Sequence, residues 1–187
     1  MGKRRRLNRD LVIAQAVTMA DEGGDLTAVS LTALAQALEI RTPSLYNHIA
    51  SLEDLQYGMA VFSLQQLVSD LRQASMGLIG QEALVAIADA YRHFAQSHPG
   101  IYALIIRAPE SEETELVQLS QQLVQLLLLV MASMGVNGED AVHAIRGLRA
   151  ILHGFVSLEM ADGYKLQLDR EESFQRLIQT YLNGLTG

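Results

Sequence analysis

The sequence predicts an all-α protein of about nine helices, a three-helix unit at the amino terminus followed by a larger helical bundle. Two observations carry this. Apolar residues recur with a 3.6-residue period along most of the 187 residues, and only three prolines interrupt them. Alternating, β-branched stretches that would build strands are scarce.

Taken in order, the first helix runs from about Asn8 to Glu22, with Ile13, Ala16, Val17 and Ala20 on one face and Gly23-Gly24 to stop it. Ser30 caps a short helix whose Leu31, Leu34, Ala35 and Leu38 share a side. Thr42-Pro43 offers a cap followed by proline at the first helical position, so a second short helix starts near Pro43 and ends before Ser51. Ser51-Leu52-Glu53-Asp54 resembles a capping box and opens a long helix to about Ser75. A helix over about 82–97 is broken by His98-Pro99-Gly100, and a short one near 101–107 follows. Ser111-Glu112-Glu113 starts another, whose run Leu126 to Met131 is apolar all round and belongs in a bundle interior. The last two cover about 139–161 and 169–183.

No uninterrupted apolar run approaches the roughly 18 residues of a bilayer span, so no membrane partner is expected. The basic start is followed by Arg9, Asp10 and Gln15 where an export signal needs apolar residues. Cysteine is absent, which removes disulfide and thiolate chemistry and suits a cytoplasmic protein. The net charge of −7 opposes nucleic-acid binding by the whole chain. Its distribution reverses that for one end: Lys3, Arg4, Arg5, Arg6 and Arg9 precede any acidic residue, whereas residues 61–187 carry eight basic and fourteen acidic side chains.

The segment Leu31 to Ile49 has two short helices about three residues apart, the spacing of a helix-turn-helix, whose second helix enters the major groove of DNA. That helix turns Leu45 and Ile49 inward and offers Arg41, Thr42, Ser44 and Asn47 outward. Arginine can read guanine and asparagine adenine, while serine and threonine can meet bases or phosphates.

With Ala20 to Gly24, Leu31 to Ile40, Pro43 to Ile49 and Glu53-Asp54-Leu55, the region from about 8 to 56 resembles the TetR/AcrR family of transcriptional regulators. Arg149 to Val156 is similar to the His-Gly element of that family's WHG carboxy-terminal class, with Leu152 where the tryptophan would stand. The resemblance implies a DNA-binding domain at 1–50, its basic arm at 1–7, and an effector-binding and dimerisation domain at 51–187. It implies operator contacts by Arg41, Thr42, Pro43, Ser44 and Asn47, with Tyr46 and His48 against phosphates and Arg4, Arg5 and Arg6 reaching a groove or the backbone. Two positions depart from the family. Glu39 stands where a glycine is usual, at a turn that can demand left-handed backbone, and Leu52 replaces a frequent lysine.

The resemblance further implies a homodimer through the last two helices, with Gly147, Gly154, Phe174, Leu177, Ile178 and Tyr181 at the interface. Met59, Phe62, Tyr91, Phe94, Tyr102, Met131 and Phe155 could line a pocket for an apolar or aromatic effector, with Arg92, His93 and His153 to orient it. No cofactor or metal is expected. The histidines form no HExxH or i, i+4 pair, and no phosphate loop or nucleophile elbow is present. The expected function is therefore that of a repressor freed from a palindromic operator by a small molecule, and no enzyme. The alternative is a helical small-molecule-sequestering or adaptor protein that has lost operator binding.

Overall fold

A computed structural model describes residues 7–186, in which every regular element is helical. In chain order these are α1 (Arg9–Gly23), a 3-10 turn (Leu26–Ala28), α2 (Leu31–Ala37), α3 (Thr42–Leu45), α4 (Leu52–Ala74), α5 (Gly80–Ser97), a second 3-10 turn (Tyr102–Ile105), α6 (Thr114–Ser133), α7 (Gly138–Met160) and α8 (Arg170–Thr186). Eight α-helices and two 3-10 turns thus stand where about nine helices were expected.

Local chemistry explains the boundaries. The Asn8 side chain accepts from the Leu11 amide at 2.9 Å and starts α1, which ends on Gly24 at φ 80°. Ser30 caps α2 through the Ala33 amide at 3.2 Å. The expected Thr42 cap is displaced by one residue: Arg41 is the N-cap, with no side-chain bond, and Pro43 becomes the second helical residue instead of the first, still within the first turn, where its missing N–H costs nothing. Ser51 accepts from the Asp54 amide at 3.1 Å, and Asp54 answers by accepting from Ala50 rather than Ser51, at 2.8 Å. α6 starts at Thr114, later than expected; ahead of it the Glu113 carboxylate accepts from the Glu110 amide and from Arg107, at 2.7 and 2.6 Å.

Between α2 and α3, Glu39 has φ 56°. The Ile40 amide bonds Ala35 O at 2.9 Å, closing a Schellman-type end that requires a left-handed residue there. A side chain in that region costs about 1 kcal/mol relative to glycine. Glu39→Gly should therefore raise stability by about that amount, read as a rise of a few degrees in Tm; no rise would mean that the glutamate side chain offsets the strain.

The chain divides into two compact units, residues 1–66 with 97–117, and 67–96 with 118–187. In the first, Val12, Ile13, Ala16, Val17 and Ala20 of α1 are buried together with Leu34, Leu45, Ile49, Leu55 and Ile101. The His98-Pro99-Gly100 breaker does more than end α5. Asp21, near the end of α1, accepts from the Gly100 amide at 3.1 Å and meets His98 Nδ1 at 2.7 Å. Gly100 lies so close to Ala20 that a β-carbon would overlap the Ala20 carbonyl. A carboxylate near a helix carboxy terminus is disfavoured by the dipole, so its place here is justified by this clasp.

In the second unit α5, α7 and α8 bury Leu84, Ile87, Phe94, Leu148, Val156, Phe174 and Ile178, while the end of α4 adds Leu67 and Leu71 and α6 adds Met131. Arg92 is buried with them, only 8 % exposed. Its guanidinium forks onto Glu159 at 3.0 and 2.7 Å and donates to Glu171 at 2.5 Å. Its Cζ lies 4.8 Å from the Phe174 ring centroid and 5.4 Å from that of Phe155. One side chain thereby ties α5 to α7 and α8.

One expectation fails for α6. The run Leu126 to Met131 is not enclosed: Leu127, Val130 and Met131 are buried, but Leu129 is 71 % exposed. The helix is long and apolar enough to cross a membrane by length and composition alone, yet only 28 % of that stretch is buried. A helix packed along one side leaves the opposite side open whatever its composition.

Candidate nucleic-acid interface

The sequence of α3 and its continuation sorts itself by helical spacing. Leu45 and Ile49 are buried in the first unit and fix the element from beneath. Arg41, Pro43, Tyr46 and Asn47 are exposed, and Thr42, Ser44 and His48 are half-buried. The regular helix ends at Leu45, sooner than expected, because the chain tightens: the Asn47 and His48 amides bond the carbonyls three residues back, at 3.3 and 2.8 Å. The Ile49 amide returns to Leu45 O at 3.0 Å, so the outward stripe persists beyond the helix itself. Tyr46, for its size, is open to water, with 55 % of its surface exposed.

Beside this stripe lies an open cleft of about 550 Å3 lined by Leu7, Asn8, Arg9, Asn47 and His48. Arg9, which the sequence groups with the basic end, is committed elsewhere. It forms a two-pronged pair with Asp54, 2.7 Å at each contact, and its Nη1 also approaches His48 O at 3.4 Å. The Arg9 hydrogen bonds hold the Asp54 carboxyl below its ordinary value, helped by the Ala50 amide. No local spacing signals this pair, since its members are 45 residues apart. Arg4, Arg5 and Arg6 lie outside the described residues.

The remaining expected site residues fall in both units. Met59, Tyr102, Phe94, Met131 and Phe155 are buried, while Phe62 and Tyr91 are half-buried. Met59, Phe62 and Tyr102 belong to the first unit and the other four to the second. Phe155 packs on Tyr164 and Phe174, ring centroids 5.0 and 5.1 Å away. Arg92, expected to orient a ligand, is instead engaged by Glu159 and Glu171.

Among the residues expected at a dimer interface, Phe174 and Ile178 are already buried within the subunit, because that side of α8 packs inward. Leu177 and Tyr181 are half-buried, and the Tyr181 hydroxyl donates to Ala144 O of α7. A β-carbon at Gly147 would touch the Tyr181 ring at an ordinary 3.5 Å, and one at Gly154 would meet nothing within 4 Å. Packing inside the subunit therefore requires neither glycine.

Residues 84–181 match the model of the tetracyclin repressor-like carboxy-terminal domain. The chain is 34% identical over 185 residues to the helix-turn-helix-type transcriptional regulator YobS of Bacillus subtilis, covering 99% of this chain and 96% of that one. A structure of a protein of unknown function from Rhodococcus superposes with TM-score 0.82 at 20% identity and complete coverage of both chains. ActR, a TetR family protein of Streptomyces coelicolor in complex with (S)-DNPA, matches with TM-score 0.68 at 19% identity over 96% of each chain. These two share the fold; the family follows from the domain match and the full-length relative. The chain belongs to the TetR family of transcriptional regulators.

Proposed function

We propose that this regulator is a repressor that grips a palindromic operator as a homodimer and is released by a small molecule. The observation that carries the reading is the outward stripe of Arg41, Ser44, Tyr46 and Asn47 held by the buried Leu45 and Ile49. Residues 1–50 supply the reading head, with Thr42 and Pro43 at the tip of the recognition helix, His48 and Tyr46 on phosphates, and the arm of Arg4, Arg5 and Arg6 on the groove or backbone. Residues 51–187 bind the effector and dimerise, and the protein acts in the cytoplasm by binding, without catalysis.

A selection on random duplexes tests this. The enriched sequence should be an inverted repeat with half-sites one helical turn, about 34–36 Å, or a multiple of it apart. Asn47→Ala should change base preference, by about 1–3 kcal/mol for a good two-pronged contact. Tyr46→Phe should instead weaken every duplex alike, because a phosphate carries no sequence. Recovery of no palindrome by the wild type, at low salt and without effector, would overturn the repressor and favour a sequestering protein.

The effector is an apolar or aromatic molecule, in keeping with Tyr91, Phe94, Met131 and Phe155 of the second unit, and the ActR neighbour, which was solved in complex with (S)-DNPA, supports response to a ligand. Operator and effector must then weaken each other's binding by the same factor. For the dimer, α7 offers the exposed Val142, Arg146, Arg149 and Leu158, together with the open Gly154, and α8 adds Leu177. Each interior glycine costs about 1 kcal/mol relative to alanine, a sacrifice that close approach of a second copy would justify. Gly154→Glu should yield monomers in sedimentation with the subunit still folded, whereas an unchanged dimer mass would place the interface elsewhere.

A further inference from the structure

The Arg9–Asp54 pair sits where three elements of the reading head converge, and its bonds go to the end of the recognition element. Asp54 Oδ1 takes Arg9 Nη2 at 2.7 Å, while Oδ2 takes Nη1 at 2.7 Å and the Ala50 amide at 2.8 Å. Arg9 Nη1 reaches His48 O at 3.4 Å, and Nη2 reaches Asp54 O at 3.3 Å. Through these contacts α1 and α4 both hold the segment His48 to Ala50, directly after the outward stripe. The two side chains are 39 % and 29 % exposed, and pairs so open to water contribute little to stability. What a forked guanidinium and carboxylate supply in that setting is orientation, since two parallel bonds fix both distance and angle.

We propose that the Arg9–Asp54 pair is the positioning element of the recognition helix, setting the pose in which Arg41, Ser44 and Asn47 meet base edges. Arg9 then belongs with the scaffold of the reading head and makes no phosphate contact of its own, although it lines the cleft beside Asn47 and His48. The proposal rests on the DNA-reading function above and deepens it. Base readout needs side chains placed to within a fraction of an ångström, whereas phosphate attraction tolerates displacement. Loss of the pair should therefore weaken operator binding more than generic binding.

The test uses the full chain, the operator recovered by selection and a random duplex of equal length. Asp54→Asn keeps an acceptor for the Ala50 amide and removes the charge, while Arg9→Lys keeps the charge and removes the fork. Each of these, and Arg9→Met as well, should lower operator affinity about tenfold, and the Arg9→Met/Asp54→Asn double variant should be no worse than Arg9→Met or Asp54→Asn alone, as coupled partners are. On the random duplex Arg9→Lys should bind as the wild type does, with an unchanged salt slope, and Asp54→Asn should bind more tightly because Arg9 is released to the phosphates. Repeating the selection with Arg9→Lys, the variant least able to perturb folding, should broaden base preference while keeping the palindrome. The proposal is overturned if Arg9→Lys retains operator affinity. It is equally overturned if Arg9→Met weakens both duplexes alike and lowers the salt slope by about one, for Arg9 would then be a phosphate contact. Failure of the wild type itself to select a palindrome would instead remove the DNA-reading function beneath it.

Discussion

Replacing Arg92 with alanine should destabilise the second unit by about 3–5 kcal/mol, the usual consequence of stranding the partners of a buried ion pair. Glu159, whose side chain is 11 % exposed, would keep a desolvated carboxylate with the neutral donor Gln96, at 3.1 Å, in place of the guanidinium. The rings of Phe155 and Phe174 would also face the space vacated by the guanidinium. In a chain of this length the loss should lower Tm by roughly 10 °C, measured by calorimetry or circular dichroism. Arg92→Met with Glu159→Leu should recover most of it, because an apolar pair of similar volume carries no desolvation cost. A loss of less than 1 kcal/mol in the single variant would mean that desolvation already offsets the pair. The same pair sets an acid limit. Hydrogen bonds from Arg92 hold the Glu159 carboxyl below its ordinary value, so its contribution is complete above the unfolded carboxylate range near pH 4 and is lost as pH falls through the depressed value. Asp89 has the opposite sign. Although Asp89 is open to water on one side, partial desolvation and the charge of Glu171 push it up against the opposing pull of Arg92, so the small contribution of its neutral form fades as pH rises through the raised value.

Gly100→Ala should be comparably severe although it adds a single carbon. The added β-carbon would overlap the Ala20 carbonyl and crowd the Asp21 amide, both backbone groups of α1 that cannot turn aside. Relief requires the 98–100 turn to lift, which breaks the Gly100 and His98 contacts to Asp21. Overpacking of this kind costs about 3 kcal/mol. The expected result is faster amide exchange at the end of α1 together with a lower Tm, and wild-type exchange there would show that the turn accommodates the methyl group elsewhere. Asp21→Asn is the milder companion, since it preserves the shape and an acceptor while losing the charge that faces His98.

How much of this the sequence discloses depends on the range of the interactions. Caps at Asn8 and Ser30, the stop at Gly24 and the inward Leu45 and Ile49 are written within four residues of where they act, and the helical fold and reading stripe follow from them. The left-handed turn at Glu39 was legible for the same reason, despite an unfavourable residue. Arg9 and Arg92 were not, because their partners lie 45 to 79 residues away and nothing local distinguishes a paired arginine from one awaiting an anion. Composition misled for α6, where six apolar residues in succession suggested enclosure and the packing of neighbours left Leu129 open. In α8 the amphipathic period was correct, but period alone does not say whether the apolar side meets its own subunit or a second one; Phe174 and Ile178 meet their own.

The return of residues 97–117 to the unit formed by 1–66 also governs the order in which a chain can fold as it is made. Synthesis proceeds at roughly 5–20 residues per second, so a nascent chain spends several seconds with Ala20 and Asp21 uncovered before the Gly100 turn emerges to clasp them. Closing the intervening loop is cheap, because its entropic cost grows only with the logarithm of length. What the delay imposes is a dependency. The reading head reaches its final packing only after α5 has been synthesised, and a fragment cut at residue 66 would remain, at the end of α1, in the state of an unfinished chain.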